Sequence, residues 1–180
     1  MNNIVVVVDV QNGFTQKEAT KGLPEKIGKL LSTDAFDAVV ATRFLNGDDS
    51  IYEKLFNWTA LKDEEECALV PEVMEYADCV VDKYIYNCVT PTFLQKLCQL
   101  NDGKYPEQVF VVGADTDCCV LATAMSLFEC NIRPVVLTQY CASNGGEESH
   151  LAGIKCMLRL IDGKQLYDNE ITSRQDLENI

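Results

Sequence analysis

The run Ile4-Val5-Val6-Val7-Val8, ended by Asp9, leaves few structural options. Five consecutive β-branched residues disfavour a helix and favour an extended strand. A strand apolar on both faces needs cover on both. That is the usual situation of a central strand in a parallel sheet with helices above and below. The run is too short to span a membrane, and no basic region precedes it. Similar runs recur: Asp37–Thr42, Cys79–Lys83, Val109–Gly113 and Arg133–Thr138 read as strands, and Gln165–Tyr167 as a weak sixth. Helical patterns fall between them, at about Pro24–Leu31, Ser50–Phe56, Thr92–Leu100, Cys119–Cys130 and Glu147–Leu160. This alternation predicts parallel pairing through right-handed crossovers. The expected fold is α/β, a three-layer α/β/α sandwich with a doubly wound, mostly parallel six-stranded sheet.

The 180 residues fit a single domain, and no linker, repeat or low-complexity tract divides them. The polar, acidic stretch Asn57–Tyr76 reads as an insertion or loop region. The tail after Asp168 is polar and expected to be partly flexible.

Charge and rare residues narrow the function. Against 15 Lys and Arg stand 28 Asp and Glu, a formal net charge of −13. Binding a phosphate backbone or an anionic membrane surface needs clustered cations, so neither nucleic acid nor membrane is an expected partner. One histidine, His150, removes His-rich metal sites, and no metal is expected. The nine cysteines are odd in number, contain no Cys-x-x-Cys pair and follow no secretory signal. They point to reduced thiols and a cytoplasmic location, most of them acting as small buried apolar residues.

In doubly wound folds ligands bind beyond the carboxyl ends of the strands. That rule selects Asp9, Thr42-Arg43, Lys83, the segment after Gly113, and Gln139–Ser143. Cys119 follows Val109–Gly113 by a short turn and opens a helical run, where the helix dipole and free N–H groups favour a thiolate and a developing oxyanion. Position alone leaves the neighbouring Cys118 open as the nucleophile. Lys83 taken singly reads equally as a solvated lysine, and Asp9 as a loop cap. Together, a thiol, an amine and a carboxylate supply nucleophile, electrostatic stabiliser and base without any histidine.

Three motifs in order carry a resemblance: Val7-Val8-Asp9-Val10-Gln11-Asn12-Gly13-Phe14, Asp82-Lys83-Tyr84, and Val112-Gly113-Ala114-Asp115-Thr116-Asp117-Cys118-Cys119-Val120. A weaker fourth is Cys141-Ala142-Ser143 with His150 following. Spanning about Asn3 to Leu160, they resemble the isochorismatase-like cysteine hydrolases, which include nicotinamidases and N-carbamoylsarcosine amidohydrolases. The resemblance implies a catalytic triad of Asp9, Lys83 and Cys119, a cis peptide at Ala114–Asp115, and an oxyanion hole of the Asp115 and Cys119 backbone N–H groups. Phe14, Arg43, Tyr84, Asn87 and Cys118 are the expected substrate-pocket residues. Departures qualify the likeness. Thr42–Ser50 holds no histidine, so the nicotinamidase metal site is absent, and Asp48 and Asp49 read as a solvated loop. Tyr84-Ile85-Tyr86-Asn87-Cys88 replaces the usual pocket wall, and Asp115 stands where relatives carry a small or apolar residue. The presence of Cys119 argues for acyl chemistry over vinyl-ether cleavage.

The expected reaction is hydrolysis of a small amide or related C–N bond on a small-molecule substrate, through a thioester and with no cofactor. A homo-oligomer is compatible with the resemblance. The alternatives are a catalytically idle binding or partner-interaction module, an isochorismatase-type vinyl-ether hydrolase, and a redox responder built on Cys118 and Cys119.

Overall fold

The structure is a computed structural model and describes residues 2–180. It is a six-stranded, wholly parallel sheet in the order β3-β2-β1-β4-β5-β6. The strands are β1 (Ile4–Val8), β2 (Ala38–Phe44), β3 (Cys79–Lys83), β4 (Gln108–Ala114), β5 (Arg133–Ala142) and β6 (Leu166–Tyr167). β1 lies between β2 and β4, in register Val6 to Val40 and Val6 to Val111, which explains its apolar run. Every residue of β1 is fully buried.

Alternation along β1 builds two cores. Ile4, Val6 and Val8 join a cluster with Phe93 and Leu97 of α5 (Pro91–Leu100), Ala124 and Leu127 of α6 (Leu121–Glu129), and Met157 of α7 (Glu147–Met157). Val5 and Val7 face the other way, against Ile27 and Leu30 of α1 (Leu23–Leu31), Val73 of α4 (Pro71–Met74) and Leu177 of α8 (Arg174–Glu178). The three layers follow directly from this two-sided burial.

Two short segments differ from the sequence reading. Asn57–Tyr76 contains α3 (Glu64–Cys67) as well as α4, and its Leu61, Cys67, Val70 and Val73 are buried. Sparse apolar residues in an acidic context concealed that role. The tail after Asp168 carries α8, held by a Ser173–Asp176 capping box, with Ile171 and Leu177 buried. Arg174 also makes a paired contact with Asp37.

The strand order reverses between β1 and β4, so their loops leave in opposite directions and open a crevice. Gly113 lies at this point with φ +122°, and a Cβ there would sit 2.2 Å from the Val8 carbonyl oxygen. Only glycine accommodates both the φ and the approach. Gly113→Ala is expected to destabilise the fold by at least about 3 kcal/mol. For a chain of this size that lowers the melting temperature by roughly 6–12 °C, measurable by thermal denaturation. An unchanged melting temperature would mean that β1 and β4 separate freely.

Candidate active site

Asp9 ends β1 with φ +52°, a left-handed conformation that aspartate tolerates better than most residues. The turn aims its side chain at the crevice, where it is fully buried. Thr42 of β2 fixes it from one side. The Thr42 hydroxyl donates to Asp9 Oδ1 at 2.7 Å and accepts from the Asp9 N–H at 3.1 Å. Lys83, the last residue of β3, approaches from the other side. Its Nζ lies 2.6 Å from Asp9 Oδ2, and both side chains are almost wholly buried. Lys83 Nζ also donates to the carbonyls of Ile85 and Tyr86, each at 3.0 Å, and to Cys119 Sγ at 3.3 Å. These three acceptors match the three ammonium donors. Asp9 Oδ2 is a fourth acceptor beside the ammonium, in a short, fully buried ion pair.

Cys119 sits in a π-helical turn, Thr116–Val120, between β4 and α6, and the Ala114–Asp115 peptide is cis. Such turns recur at functional sites. The N–H groups of Cys118 and Val120 both donate to the Asp115 carbonyl, at 3.0 and 3.1 Å, on either side of Cys119. Neighbouring elements hold the turn in place. Ser143 donates to Asp117 at 2.6 Å, and Thr116 bonds His150 Nδ1 at 2.8 Å. Gly153 of α7 lets the helix approach so closely that a Cβ would lie 2.8 Å from the Asp117 backbone. His150 thus supports the turn and stands outside the Asp9–Lys83–Cys119 cluster.

The electrostatics of the cluster are coupled. Burial pushes the Cys119 thiol well above its usual range; Asp9 adds to this and Lys83 opposes it. Lys83 favours the thiolate, as the sequence leads one to expect, but at 5% exposure desolvation outweighs it. Burial alone would lower Lys83, but Asp9 and Cys119 outweigh it and raise the ammonium above its ordinary value.

The other thiols are structural in their surroundings. Burial pushes Cys88 and Cys141 each up to about 12, and burial with Asp117 and Asp115 pushes Cys118 to about 11. An unfolded thiol titrates near about 8.5. Between that pH and the native values the native state keeps protons that the unfolded chain has released, so stability falls as pH rises. The raised Lys83 acts in the same direction at higher pH. The urea midpoint is expected to be lower at pH 10 than at pH 7 under reducing conditions, and a flat profile would contradict these burials. All nine cysteines are unpaired; Cys130 and Cys156 are exposed, contrary to the expectation of buried fillers.

Above Cys119 opens a cavity of about 330 Å³ lined by Phe14, Phe44, Tyr52, Phe56, Trp58, Tyr86, Asp115 and Cys118. Its aromatic wall is mutually packed. Phe14 stacks on Trp58 with centroids 6.0 Å apart, and Tyr52 meets Phe44 and Tyr86 edge-on at 5.2 and 5.1 Å. Lys83 Nζ lies 5.2 Å from the Phe44 ring centroid. Buried Gln11 braces the base, donating to the carbonyls of Phe44 and Cys67 and accepting from the Phe44 N–H. Among the described residues, no group of three or more His, Cys, Asp or Glu side chains is placed to hold a metal ion. Nor is any helix long and apolar enough to cross a membrane.

The sequence model of the Isochorismatase domain matches residues 3–164. The chain belongs to the isochorismatase-like hydrolase family. Among solved structures, an isochorismatase-like hydrolase from Alkaliphilus metalliredigens is similar with a TM-score of 0.77 at 17% identity, over 99% of this chain and 98% of that one. Nicotinamidase from Bacillus subtilis gives 0.75 at 20% identity, over 93% and 100%. N-carbamoylsarcosine amidase from Thermoplasma acidophilum gives 0.73 at 22%, over 95% and 99%. At such identities the likeness is one of fold. No match was found among the curated proteins.

Within this isochorismatase-like frame, Asp9, Lys83 and Cys119 meet, and Asp115 lies beside them. Of the expected pocket residues, Phe14 and Cys118 line the cavity, while Arg43, Tyr84 and Asn87 lie off it. Strand alternation explains Arg43. Thr42 and Phe44 turn toward the site, so Arg43 turns away and forms a two-bonded pair with Asp82. Tyr84 is 62% exposed, and the Asn87 side chain accepts from the Val89 N–H. Phe44, Tyr52, Phe56 and Tyr86 supply wall that the sequence reading does not assign. Trp58, which the sequence leaves open as a pocket-mouth residue, lines the cavity as well.

Proposed function

We propose that the chain hydrolyses a small amide or related C–N bond, with Cys119 as nucleophile, Asp9 as general base and acid, and Lys83 as the charge that orders them. The observation that carries this reading is the 3.3 Å Lys83–Cys119 contact beside the 2.6 Å Lys83–Asp9 pair, buried at the foot of an aromatic cavity. Asp9 Oδ2 has no other acceptor duty and is free to take the thiol proton. As the proton leaves, Cys119 Sγ bonds to the substrate carbonyl carbon. The carbonyl electrons move to oxygen, which the Asp115 and Cys119 N–H groups would receive. Collapse breaks the C–N bond, and Asp9 returns the proton to the departing amine. Water then attacks the thioester and gives a proton to Asp9. The C–S bond breaks, and the thiolate recovers that proton. Lys83 keeps its charge throughout, which the Asp9 pairing favours.

The test is a release screen for ammonia or amine over small aromatic and aliphatic amides, ureides and carbamoyl compounds. Cys119→Ala serves as the blank. Turnover of at least one compound by the wild type alone is the expected result. No turnover across the panel would favour an idle binding module.

A further inference from the structure

We infer that the cavity above Cys119 is built for a small amide carrying a cationic group, with the Asp115 carboxylate as its counter-ion. The inference rests on the hydrolase reading of the same site and names its substrate class.

The argument is one of pairing. Asp115 Oδ1 accepts from the Asn144 N–H at 2.9 Å and from Asn144 Nδ2 at 2.8 Å. Oδ2 has no hydrogen-bond partner among the described residues, and Asp115 lines the cavity. Burial raises the Asp115 carboxyl above its usual range; Lys17 opposes this only by its charge, its ammonium donating to the Asn144 carbonyl at 3.2 Å. Asp115 is thus the cavity's one acidic side chain, set among Phe14, Phe44, Tyr52, Phe56, Trp58 and Tyr86.

Three kinds of ligand fare differently there. An anionic group would lose its hydration with no cation to meet, because the donors of Lys83 already serve two carbonyls and Cys119. It would also face Asp115. A neutral apolar group would desolvate the unpaired Oδ2 and return nothing to it, and a neutral donor would leave its charge unmatched. A cationic group satisfies Oδ2 and gains from the aromatic rings, the combination that recognises ammonium ligands generally. The net charge of −13 adds long-range attraction for cations. Asp115 is therefore a specificity-determining side chain whose backbone N–H belongs to the proposed oxyanion hole.

Trp58, the chain's single tryptophan, reports on this cavity by its emission. The experiment titrates Cys119→Ala, which binds without turnover, with 3-(trimethylammonio)benzamide, its neutral isostere 3-tert-butylbenzamide, and anionic 3-carbamoylbenzoate. The cation is expected to bind at least about tenfold tighter than the neutral isostere, with the anion weakest. Adding Asp115→Asn should bring the cation-to-neutral ratio close to one. Should that variant not fold, the charge series decides alone. Equal or tighter binding of the neutral or anionic compound, no fluorescence response to any, or a ratio unmoved by Asp115→Asn would overturn the inference. A clear cation preference with no amine released from any amide by the wild type would instead sink the hydrolase reading. Turnover without charge preference would remove this inference alone.

Discussion

Cys119→Ala is expected to lower amide turnover by at least about 10⁴-fold, as removal of a covalent nucleophile does elsewhere. Cys118→Ala should retain most of kcat and shift KM, since the Cys118 thiol lines the cavity without touching Lys83. The two thiols are neighbours in sequence but differ in surroundings. Cys119 Sγ meets the ammonium of Lys83 and the carboxylate of Asp9. Cys118 is raised by burial and by Asp117 and Asp115, with no cation to stabilise its thiolate. Steady-state kinetics on any compound from the release screen decides. Loss of turnover in Cys118→Ala with survival in Cys119→Ala would transfer the nucleophile to Cys118. Intact mass spectrometry of a quenched reaction would add the site of the thioester.

The second large effect concerns the buried ion pair. Asp9→Asn should cost about 10²–10⁴-fold in kcat, the range for a lost general acid–base group, and Lys83→Met about 10²–10³-fold, the range for a lost electrostatic stabiliser. Each should also lower stability by about 3–5 kcal/mol, because it strands an unpaired charge. The double variant separates the two effects. Removing both charges should recover much of the stability while activity stays lost, since a buried pair contributes less to folding than its halves suggest. Urea denaturation and kinetics on the three variants make a double-mutant cycle. A double variant that regained activity along with stability would show the pair to be structural. Near-wild-type kcat in either single variant would remove that residue from the mechanism.

Much of this is legible in the sequence, for identifiable reasons. A parallel sheet buried on both faces writes each strand as an unbroken apolar run, and β1 is the plainest instance. Strand ends are equally readable, because a charge closing such a run must lie at the crevice or at the surface. That logic reached Asp9 and Lys83. It failed at Arg43 because period-two alternation, set by Thr42 contacting Asp9, decides which of two adjacent residues faces inward. The π-helical turn left no signal, since Thr116–Val120 reads as the start of an ordinary helix. The aromatic wall was hidden for another reason. Phe14, Tyr52, Trp58 and Tyr86 come from four separate segments, and only the tertiary fold collects them. The sign of the thiol's shift was likewise out of reach, because burial opposes the helix dipole and the sequence does not weigh one against the other.

The way Lys83 spends its donors has a mechanical consequence. Two go to the carbonyls of Ile85 and Tyr86, the stretch of chain whose next protrusion into the cavity is the Tyr86 ring. Substrate wall and proton machinery thereby share one joint. A ligand too wide for the cavity would push Tyr86 outward, draw those carbonyls off the ammonium, and loosen its hold on Asp9 and Cys119. Size selection in this site would therefore register in the speed of bond breaking as well as in affinity, with oversized amides bound but slow to react.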